Sequence, residues 1–230
     1  MKSEVSIPMK NCFSRCHANL PIVVVAIVLL ADQTLKFWIK LSMRIGDEIR
    51  IFDWFRIHFL ENEGMAFGFS FGGNGGKLLL SLIRLAAIGI LIWYITKLNR
   101  TRKQQKFSGE GKPIKTSLIV SLSLILAGAA GNMIDCAFYG VIFSDSYFHL
   151  AQLFPAGGGY APLLHGRVVD MFYFPLLQGH FPIWFPWIGG NEFLFFRPVF
   201  NIADSAITIG FVVFFITQRD FWFPSKHKAA

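Results

Sequence analysis

Four long apolar stretches restrict the folds that this chain of 230 residues can adopt. A helix needs about 20 residues, at a rise of about 1.5 Å each, to cross a bilayer. The four stretches approach this length and lie at about Leu20–Ile39, Leu78–Ile95, Ser117–Ile134 and Phe200–Ile216. Their apolar residues are continuous rather than alternating, which favours helices over the strands of a barrel. The sequence therefore predicts an α-helical polytopic membrane protein with four transmembrane helices.

The composition agrees with a lipid environment. Hydrophobic residues make up 53% of the chain and charged residues 16%, whereas soluble domains carry about 25% charged residues. These values exclude a disordered chain and a disulfide-stapled secreted domain. We expect one membrane-embedded domain that covers residues 1–230.

The distribution of positive charge predicts the orientation of the spans. Thirteen of the 22 Lys and Arg residues fall in the two terminal tails and in the connection at about 97–116. The positive-inside rule then places both termini and this basic connection in the cytoplasm. The net charge of +8 is explained by topology, so nucleic acid is not an expected partner. The first span is not expected to be a cleaved signal peptide, because no small-residue cleavage site follows it.

Two large loops are predicted on the non-cytoplasmic side, at about 41–76 and 136–199. In the first, apolar Phe55, Ile57 and Phe59 alternate with polar residues, a period of two that predicts a short strand or hairpin. The second loop is rich in Phe, Trp, Pro and Gly, which is typical of an interfacial belt or a lid. The four helices should therefore carry a small region of β-type and aromatic loops.

Polar residues converge at one predicted depth, the non-cytoplasmic boundary of the membrane. Ionisable groups inside spans are costly, by about 2.5–3.5 kcal/mol each on insertion scales, so each needs a reason. The residues are Asp32 and Lys36 in span one, Asn132 and Asp135 at the end of span three, and Asn201 and Asp204 at the start of span four.

Each of these residues also has a structural interpretation. Asp32 and Lys36 lie one helical turn apart and can form an ion pair. Asn201 and Asp204 can cap a helix. Asp135 can simply end its span, Asp170 can be an ordinary loop acid, and Arg84 can extend to the membrane surface. Taken singly, none of them establishes a function.

Together with their neighbours, these residues form five motifs in a fixed order. The motifs begin at Asp32 (D-Q-x-x-K), Asn62 (N-x-G-x-A-F), Gly128 (G-x-x-G-N-x-x-D), Gly166 (G-x-V-x-D) and Phe200 (F-N-x-A-D-x-x-I). The set resembles lipoprotein signal peptidase, a bacterial four-helix membrane aspartyl peptidase that removes signal peptides from lipid-modified preproteins. The resemblance extends over all four spans.

The resemblance implies a role for each motif residue. Asp170 and Asp204 match the catalytic carboxylates. Asn62, Gly64, Asn132 and Asn201 match positions that line the substrate site, and Asp32 and Lys36 match positions that support it, while Asp135 ends the third motif. The implied substrates are diacylglyceryl-modified prolipoproteins in the bacterial cytoplasmic membrane. The resemblance implies no metal or organic cofactor, and a single complete site is compatible with a monomer.

Two departures from the family pattern bear on the site. The family usually has Arg directly after the acid of the third motif, where this chain has Cys136; Arg167 could replace that cation. An insertion also separates Asp135 from Asp170, and a second, aromatic insertion precedes Phe200. Both insertions map to the non-cytoplasmic face, so we expect them to affect substrate access more than chemistry.

Other functions fit the sequence less well than a peptidase does. A proton-coupled transporter would place ionisable residues through the full depth of the membrane, whereas here the inner halves of the spans are apolar. A scaffold protein would not need paired aspartates. A Cys136–His149 nucleophile and a metal site at Cys12, Cys16 and His17 have little support from spacing.

Overall fold

The computed structural model describes residues 10–63, 73–109, 111, 113–175, 177–180, 182–187, 189–195 and 198–219. Its helices are α1 (Lys10–Ser42), α2 (Gly73–Ser108), α3 (Thr116–Ile134), α4 (Gly140–Ile142) and α5 (Ile202–Thr217). Three segments are long and apolar enough to cross a membrane, namely Asn19–Ser42, Gly75–Gln105 and Thr116–Ile142. The fourth apolar helix, α5, is shorter, with 16 residues. The four predicted stretches are helical except for Phe200 and Asn201, which precede α5, and this confirms the helical membrane architecture.

Two helices extend well beyond the predicted apolar stretches. Helix α1 begins at Lys10, and α2 continues to Ser108 through most of the basic connection that was expected to be a loop. Lys, Arg and Gln are good helix formers, so the basic segment continues the helix after the apolar residues end.

Helix α3 lies at the centre of the bundle and packs against α1, α2 and α5. Two glycines allow α5 to approach it closely. A Cβ atom added at Gly128 would lie 2.2 Å from the carbonyl oxygen of Ala203. One added at Gly131 would lie 3.2 Å from the Ala203 Cβ and 2.9 Å from the Asp32 carboxylate of α1. Because Gly128 and Gly131 have no side chains, the start of α5 packs directly against α3.

The end of α3 changes its winding where the polar residues begin. A π-helical segment, Asp135–Tyr139, follows Ile134 and leads into α4. Such π-helical turns are rare and occur frequently at functional sites. In this chain the segment begins at a residue of the third motif, Asp135.

A small sheet covers one end of the helices. The strands are β1 (Glu48–Phe52), β2 (Phe55–Asn62), β3 (Val168–Tyr173), β4 (Leu177–His180), β5 (Glu192–Phe195) and β6 (Val199–Phe200). Strands β1, β2, β3 and β6 form one antiparallel sheet in that order, while β4 and β5 form a separate hairpin. The predicted hairpin of the first loop is confirmed, but its pairing with β3 and β6 of the second loop was not predicted.

The sheet has two faces with different tasks. Ile57, Phe59, Val169 and Met171 are buried with Ile39 of α1 in a common core. Because side chains alternate along a strand, Asn62 and Asp170 lie on the opposite face, towards the start of α5. The sheet thus attaches to the helices by one face and presents polar side chains with the other.

Candidate active site

Asp204 lies in the first turn of α5, where the sequence forms a helix cap. Asn201 is the N-cap residue, and its side-chain oxygen accepts a hydrogen bond from the backbone N–H of Asp204 at 2.9 Å. This bond confirms the capping interpretation. The Asp204 carboxylate therefore lies at the positive end of the α5 helix dipole.

Asp170 lies on β3 and is 5% exposed. The Asn201 side-chain N–H donates to its Oδ1 at 2.8 Å. Burial, and next the negative charge of Asp204, raise the pKa of Asp170 to about 7, although hydrogen bonds from Asn62 and Asn201 and the positive charge of Lys36 act in the opposite direction. One carboxyl group of this pair is therefore readily protonated near neutral pH.

Asn132 of α3 completes a chain of hydrogen bonds between the two aspartates. Its side-chain N–H donates to Asp204 Oδ1 at 2.7 Å, and its side-chain oxygen accepts from Asn201 at 3.1 Å. The order Asp170–Asn201–Asn132–Asp204 joins β3, the cap of α5 and α3. Both carboxyl groups are thus held in place by neutral amide side chains.

A buried ionic cluster supports this chain of hydrogen bonds by contacting Asn132. Lys36 Nζ lies 2.9 Å from Asp32 Oδ2, 2.7 Å from Asp135 Oδ2 and 3.0 Å from Asn132 Oδ1. The side chains of Lys36, Asp32 and Asp135 are fully buried. The predicted pair Asp32–Lys36 is confirmed, and the structure adds Asp135 as a second acidic partner.

A groove of about 430 Å³ lies beside Asp204. Its lining is mostly apolar and comprises Phe200, Asp204, Ser205, Thr208 and Ile209. The groove runs along one side of the first turns of α5, so a carboxylate lies at one end of an apolar surface within the membrane-spanning region. This arrangement suits a ligand that combines a polar backbone with apolar groups.

The structure brings most of the predicted residues to this site. Asp32, Lys36, Asn132, Asp135, Asp170, Asn201 and Asp204 form one connected hydrogen-bonding and ionic network. Asn62 joins it through its hydrogen bond to Asp170. Gly64 lies outside the described residues.

Arg167 and Arg84 differ in the groups that they contact. Arg167 Nη1 lies 3.1 Å from Glu61, whereas Arg84 Nη1 donates to Cys136 Sγ at 3.2 Å. The guanidinium next to Cys136 is thus supplied by α2. His149 lies 3.9 Å from Asp145, and the side chains of Cys12, Cys16 and His17 are not among those described.

Sequence reasoning missed three polar residues near the site. Gln33 donates to Asp135 Oδ1 at 3.0 Å and accepts from the Tyr139 hydroxyl at 3.1 Å; it belongs to the first motif, which was an available signal. Lys40 and Glu61 form a buried ion pair at 2.5 Å. Their only signals were a cation one turn after Lys36 and an acid next to Asn62.

The chain resembles known proteins over most of its length. Residues 24–219 match the family model of signal peptidase (SPase) II. The lipoprotein signal peptidase of Porphyromonas gingivalis is 49% identical over 192 residues, which cover 84% of this chain and 79% of that protein. The lipoprotein signal peptidase of Amoebophilus asiaticus is 36% identical over 198 residues, 84% of this chain and 75% of that protein.

Solved structures agree on the fold. Two structures of bacterial membrane enzymes align with TM-scores of 0.56 and 0.54 at 22% and 23% sequence identity. The first alignment covers 92% of this chain and 94% of that chain, and the second covers 91% and 95%. At this level of identity the alignments support the architecture of helices and sheet.

Proposed function

The chain belongs to the signal peptidase II family, and from this premise we propose that Asp170 and Asp204 are the catalytic pair of an aspartic endopeptidase. Family membership makes the chain a prolipoprotein signal peptidase, a protease of the membrane. The observation that supports the aspartic mechanism is the hydrogen-bonded chain that joins the two carboxyl groups through Asn201 and Asn132.

The two aspartates take different roles in the proposed reaction. Asp170 starts protonated, because burial and the charge of Asp204 raise its pKa to about 7. Asp204, in the first turn of α5, acts as the base and removes a proton from the attacking water. The water oxygen bonds to the scissile carbonyl carbon while Asp170 donates its proton to the carbonyl oxygen. Collapse of the tetrahedral intermediate breaks the C–N bond: Asp170 recovers its proton from one hydroxyl of the intermediate, and Asp204 gives its proton to the leaving amine.

The proposed substrate is a preprotein whose cysteine carries a diacylglyceryl group. Its acyl chains stay in the membrane and therefore hold the bond before that cysteine at the depth of the headgroups. The apolar groove beside Asp204, with Phe200 and Ile209 in its lining, suits a substrate that approaches from the lipid. We propose that Asn62 or Asn132 hydrogen-bonds the substrate backbone.

We assign the protein to the bacterial cytoplasmic membrane, with both termini in the cytoplasm. The Lys115 ammonium donates to the carbonyl oxygen of Thr217 at 3.0 Å, so the start of α3 and the end of α5 lie together at the basic end of the bundle, and the aspartates lie at the opposite end. A fluorescent protein fused to the C-terminus should fluoresce, and alkaline phosphatase at the same position should be inactive. The reverse result would contradict the orientation.

The site is proposed to work as a monomer. Every residue of the hydrogen-bonded chain, from β3, α3 and the cap of α5, comes from one polypeptide. Cleavage activity should therefore coincide with the monomeric peak when the protein is separated by size in detergent.

The decisive experiment uses purified protein in lipid vesicles with a diacylglyceryl-modified preprotein, and cleavage is followed as a shift on a gel. Asp170→Asn and Asp204→Asn should each lower the rate by about 10³-fold or more, because each removes one of the two proton transfers. Asp53→Asn is the matched control, because Asp53 is an exposed acid on the β1–β2 hairpin. It should cleave at the wild-type rate.

Three outcomes separate the components of the proposal. Cleavage of the lipidated preprotein, with no cleavage of the unlipidated form, supports the substrate assignment. Wild-type rates in both active-site variants would disprove the aspartic mechanism. Equal cleavage of both preproteins would leave the mechanism intact and contradict the lipid requirement.

A further inference from the structure

A second buried ionic network lies on the other side of the strand that carries Asp170. Glu61 Oε1 lies 2.5 Å from the Lys40 ammonium, and Glu61 Oε2 lies 3.1 Å from the Arg167 guanidinium. The Lys40 side chain is fully buried and that of Glu61 is 2% exposed. Glu61 is thus one carboxylate held between two cations from α1 and from the start of β3.

The pleat of the sheet relates this network to the active site. Glu61 of β2 is paired with Val169 of β3, and Leu60 is paired with Asp170. Successive side chains of a strand point to opposite faces, so Glu61 faces α1 while the next residue, Asn62, faces Asp170. The Glu61 network and the network of the two aspartates therefore lie on opposite faces of the same two strands, β2 and β3.

The pairing register of β2 and β3 requires an interaction near Glu61 that fixes it. The pairing of β2 with β3 shifts between Ile57 and Leu60, where one strand bulges. A slip of one residue would turn Asn62 away from Asp170 and bring Glu61 into its place. A carboxylate that must remain between two cations on the core face opposes such a slip strongly.

We propose that Glu61 is a positioning residue, whose simultaneous pairing with Lys40 and Arg167 fixes the register that places Asn62 against Asp170. The inference rests on the proposed function, because it assigns Glu61 to the same pair of aspartates. Glu61 itself acts from the opposite face of the sheet through Asn62. It makes no contact with the substrate in this role.

The same network holds the inserted segment in place. Lys40 donates to the Ser146 hydroxyl at 2.8 Å, and its ammonium lies 5.1 Å from the centre of the Tyr160 ring. The Tyr160 hydroxyl accepts a hydrogen bond from the backbone N–H of Arg167 at 2.8 Å. The insertion between Asp135 and Asp170 is therefore fastened to the network that sets the register.

The test compares Glu61→Gln with Glu48→Gln in the vesicle assay. Glu48 lies in the same sheet and pairs with Arg56 at 2.9 Å, but it is half-exposed and belongs to β1. Because Glu61→Gln leaves the Lys40 charge buried without its partner, the double variant Lys40→Met/Glu61→Gln provides a second form that removes this buried charge. Arg167 also loses Glu61 in this form, but its side chain is 23% exposed and keeps Glu63 at 3.6 Å. Thermal unfolding of each variant in detergent identifies the forms that are folded.

For folded variants we expect kcat to fall about 10- to 100-fold in Lys40→Met/Glu61→Gln with little change in KM, because a displaced catalytic group slows the chemical step. Glu48→Gln should remain within about twofold of wild type, as expected for a surface ion pair. The readout that is specific to this proposal is a double-mutant cycle, in which Lys40→Met/Glu61→Gln is combined with Asn62→Ala. In the Asn62→Ala background, loss of the Glu61 network should cause almost no further decrease in kcat.

Two results would overturn the inference. One is wild-type kcat in a folded Lys40→Met/Glu61→Gln variant. The other is a decrease in kcat that is fully multiplicative with the decrease caused by Asn62→Ala. Such a result would show that Glu61 acts independently of Asn62. Failure of the proposed function is recognised separately, because Asp170→Asn and Asp204→Asn would then retain activity.

Discussion

Asp135 accepts a hydrogen bond at 3.2 Å from the backbone N–H of Val169, the residue directly before Asp170. Asp32 accepts an equivalent bond at 2.9 Å from the N–H of Ala203, the residue directly before Asp204. Each proposed catalytic residue thus follows a peptide group held by a buried carboxylate. Lys36 lies between the two supporting carboxylates and bonds to both.

Replacement of Lys36 should remove this support. Lys36→Met leaves Asp32 and Asp135 buried without their shared cation, and loss of one partner from a buried ion pair costs about 3–5 kcal/mol. We expect the variant to lose most of its unfolding free energy, as measured by thermal unfolding in detergent. We also expect it to lose its activity in the vesicle assay. Lys115→Met is the control, since its bond to Thr217 is exposed. Equal stability of the two variants would contradict the supporting role of Lys36.

The close contact between α3 and α5 gives a second prediction. Gly128→Ala places a methyl group 2.2 Å from the Ala203 carbonyl oxygen, so α5 must move away together with Asn201 and Asp204. The cleavage rate should fall at least about tenfold, because such displacements are costly to catalysis. Gly89→Ala on α2, where nothing lies within 4 Å, should cleave like wild type. An active Gly128→Ala enzyme would mean that α5 can shift without disturbing the carboxylates.

The cleavage rate should depend on pH through Asp170. Its pKa is raised to about 7 by burial and by Asp204, and the groups that face it are Asp204, Asn62, Asn201 and Lys36. As the pH rises through about 7, Asp170 loses the proton that it must donate, and kcat should fall about tenfold per pH unit above this value. A rate that stays constant between pH 6 and pH 9 would contradict the assignment of Asp170 as the acid.

The raised pKa of Asp170 also predicts that the site lowers the free energy of unfolding of the protein. The folded pKa of Asp170, about 7, lies above the ordinary value of 3.8, so the folded state favours the protonated form. Wild type therefore loses stability as the pH rises from about 4 to about 7. Asp170→Asn cannot ionise and can still accept from Asn201. It should be more stable than wild type at pH 8 by up to about 4 kcal/mol, which corresponds to a shift of about three pKa units at about 1.4 kcal/mol per unit.

The comparison should be made by thermal unfolding at pH 5 and pH 8. The advantage of Asp170→Asn should shrink at the lower pH, where wild type also holds the proton. Asp53→Asn should show no such gain, because the Arg50 side chain that bonds to Asp53 lowers the pKa of this carboxyl. An advantage of Asp170→Asn that is independent of pH would exclude ionisation as its cause.

The helices and the motif residues were predictable, because both signals are local. Continuous apolar stretches predicted all four helices, and the alternation of Phe55, Ile57 and Phe59 predicted β2. Strand β3 was missed because five of its six residues are buried, and its single polar residue, Asp170, does not produce an alternating pattern. Its pairing with β2 depends on contacts between residues more than 100 positions apart, which carry no local signal.

The candidate site was predicted as a set of residues but not as a network. The spacing of Asp32 and Lys36 predicted their ion pair, and the cap at Asn201 was visible. The role of Asn132 as the link between Asp204 and Lys36 depends on how closely α3 and α5 approach, which only the structure gives. Lys40 and Glu61 were missed because single charges in separate elements carry no common spacing.

The length of α5 has a consequence for the bilayer around the enzyme. Sixteen residues extend about 24 Å, whereas the hydrocarbon core is about 30 Å thick. A span shorter than the core is accommodated by local thinning of the bilayer. Asp204 lies in the first turn of this helix, so we expect such thinning to bring water and headgroups closer to the two aspartates. We therefore expect the hydrophobic mismatch of this one helix to admit the water that hydrolysis needs.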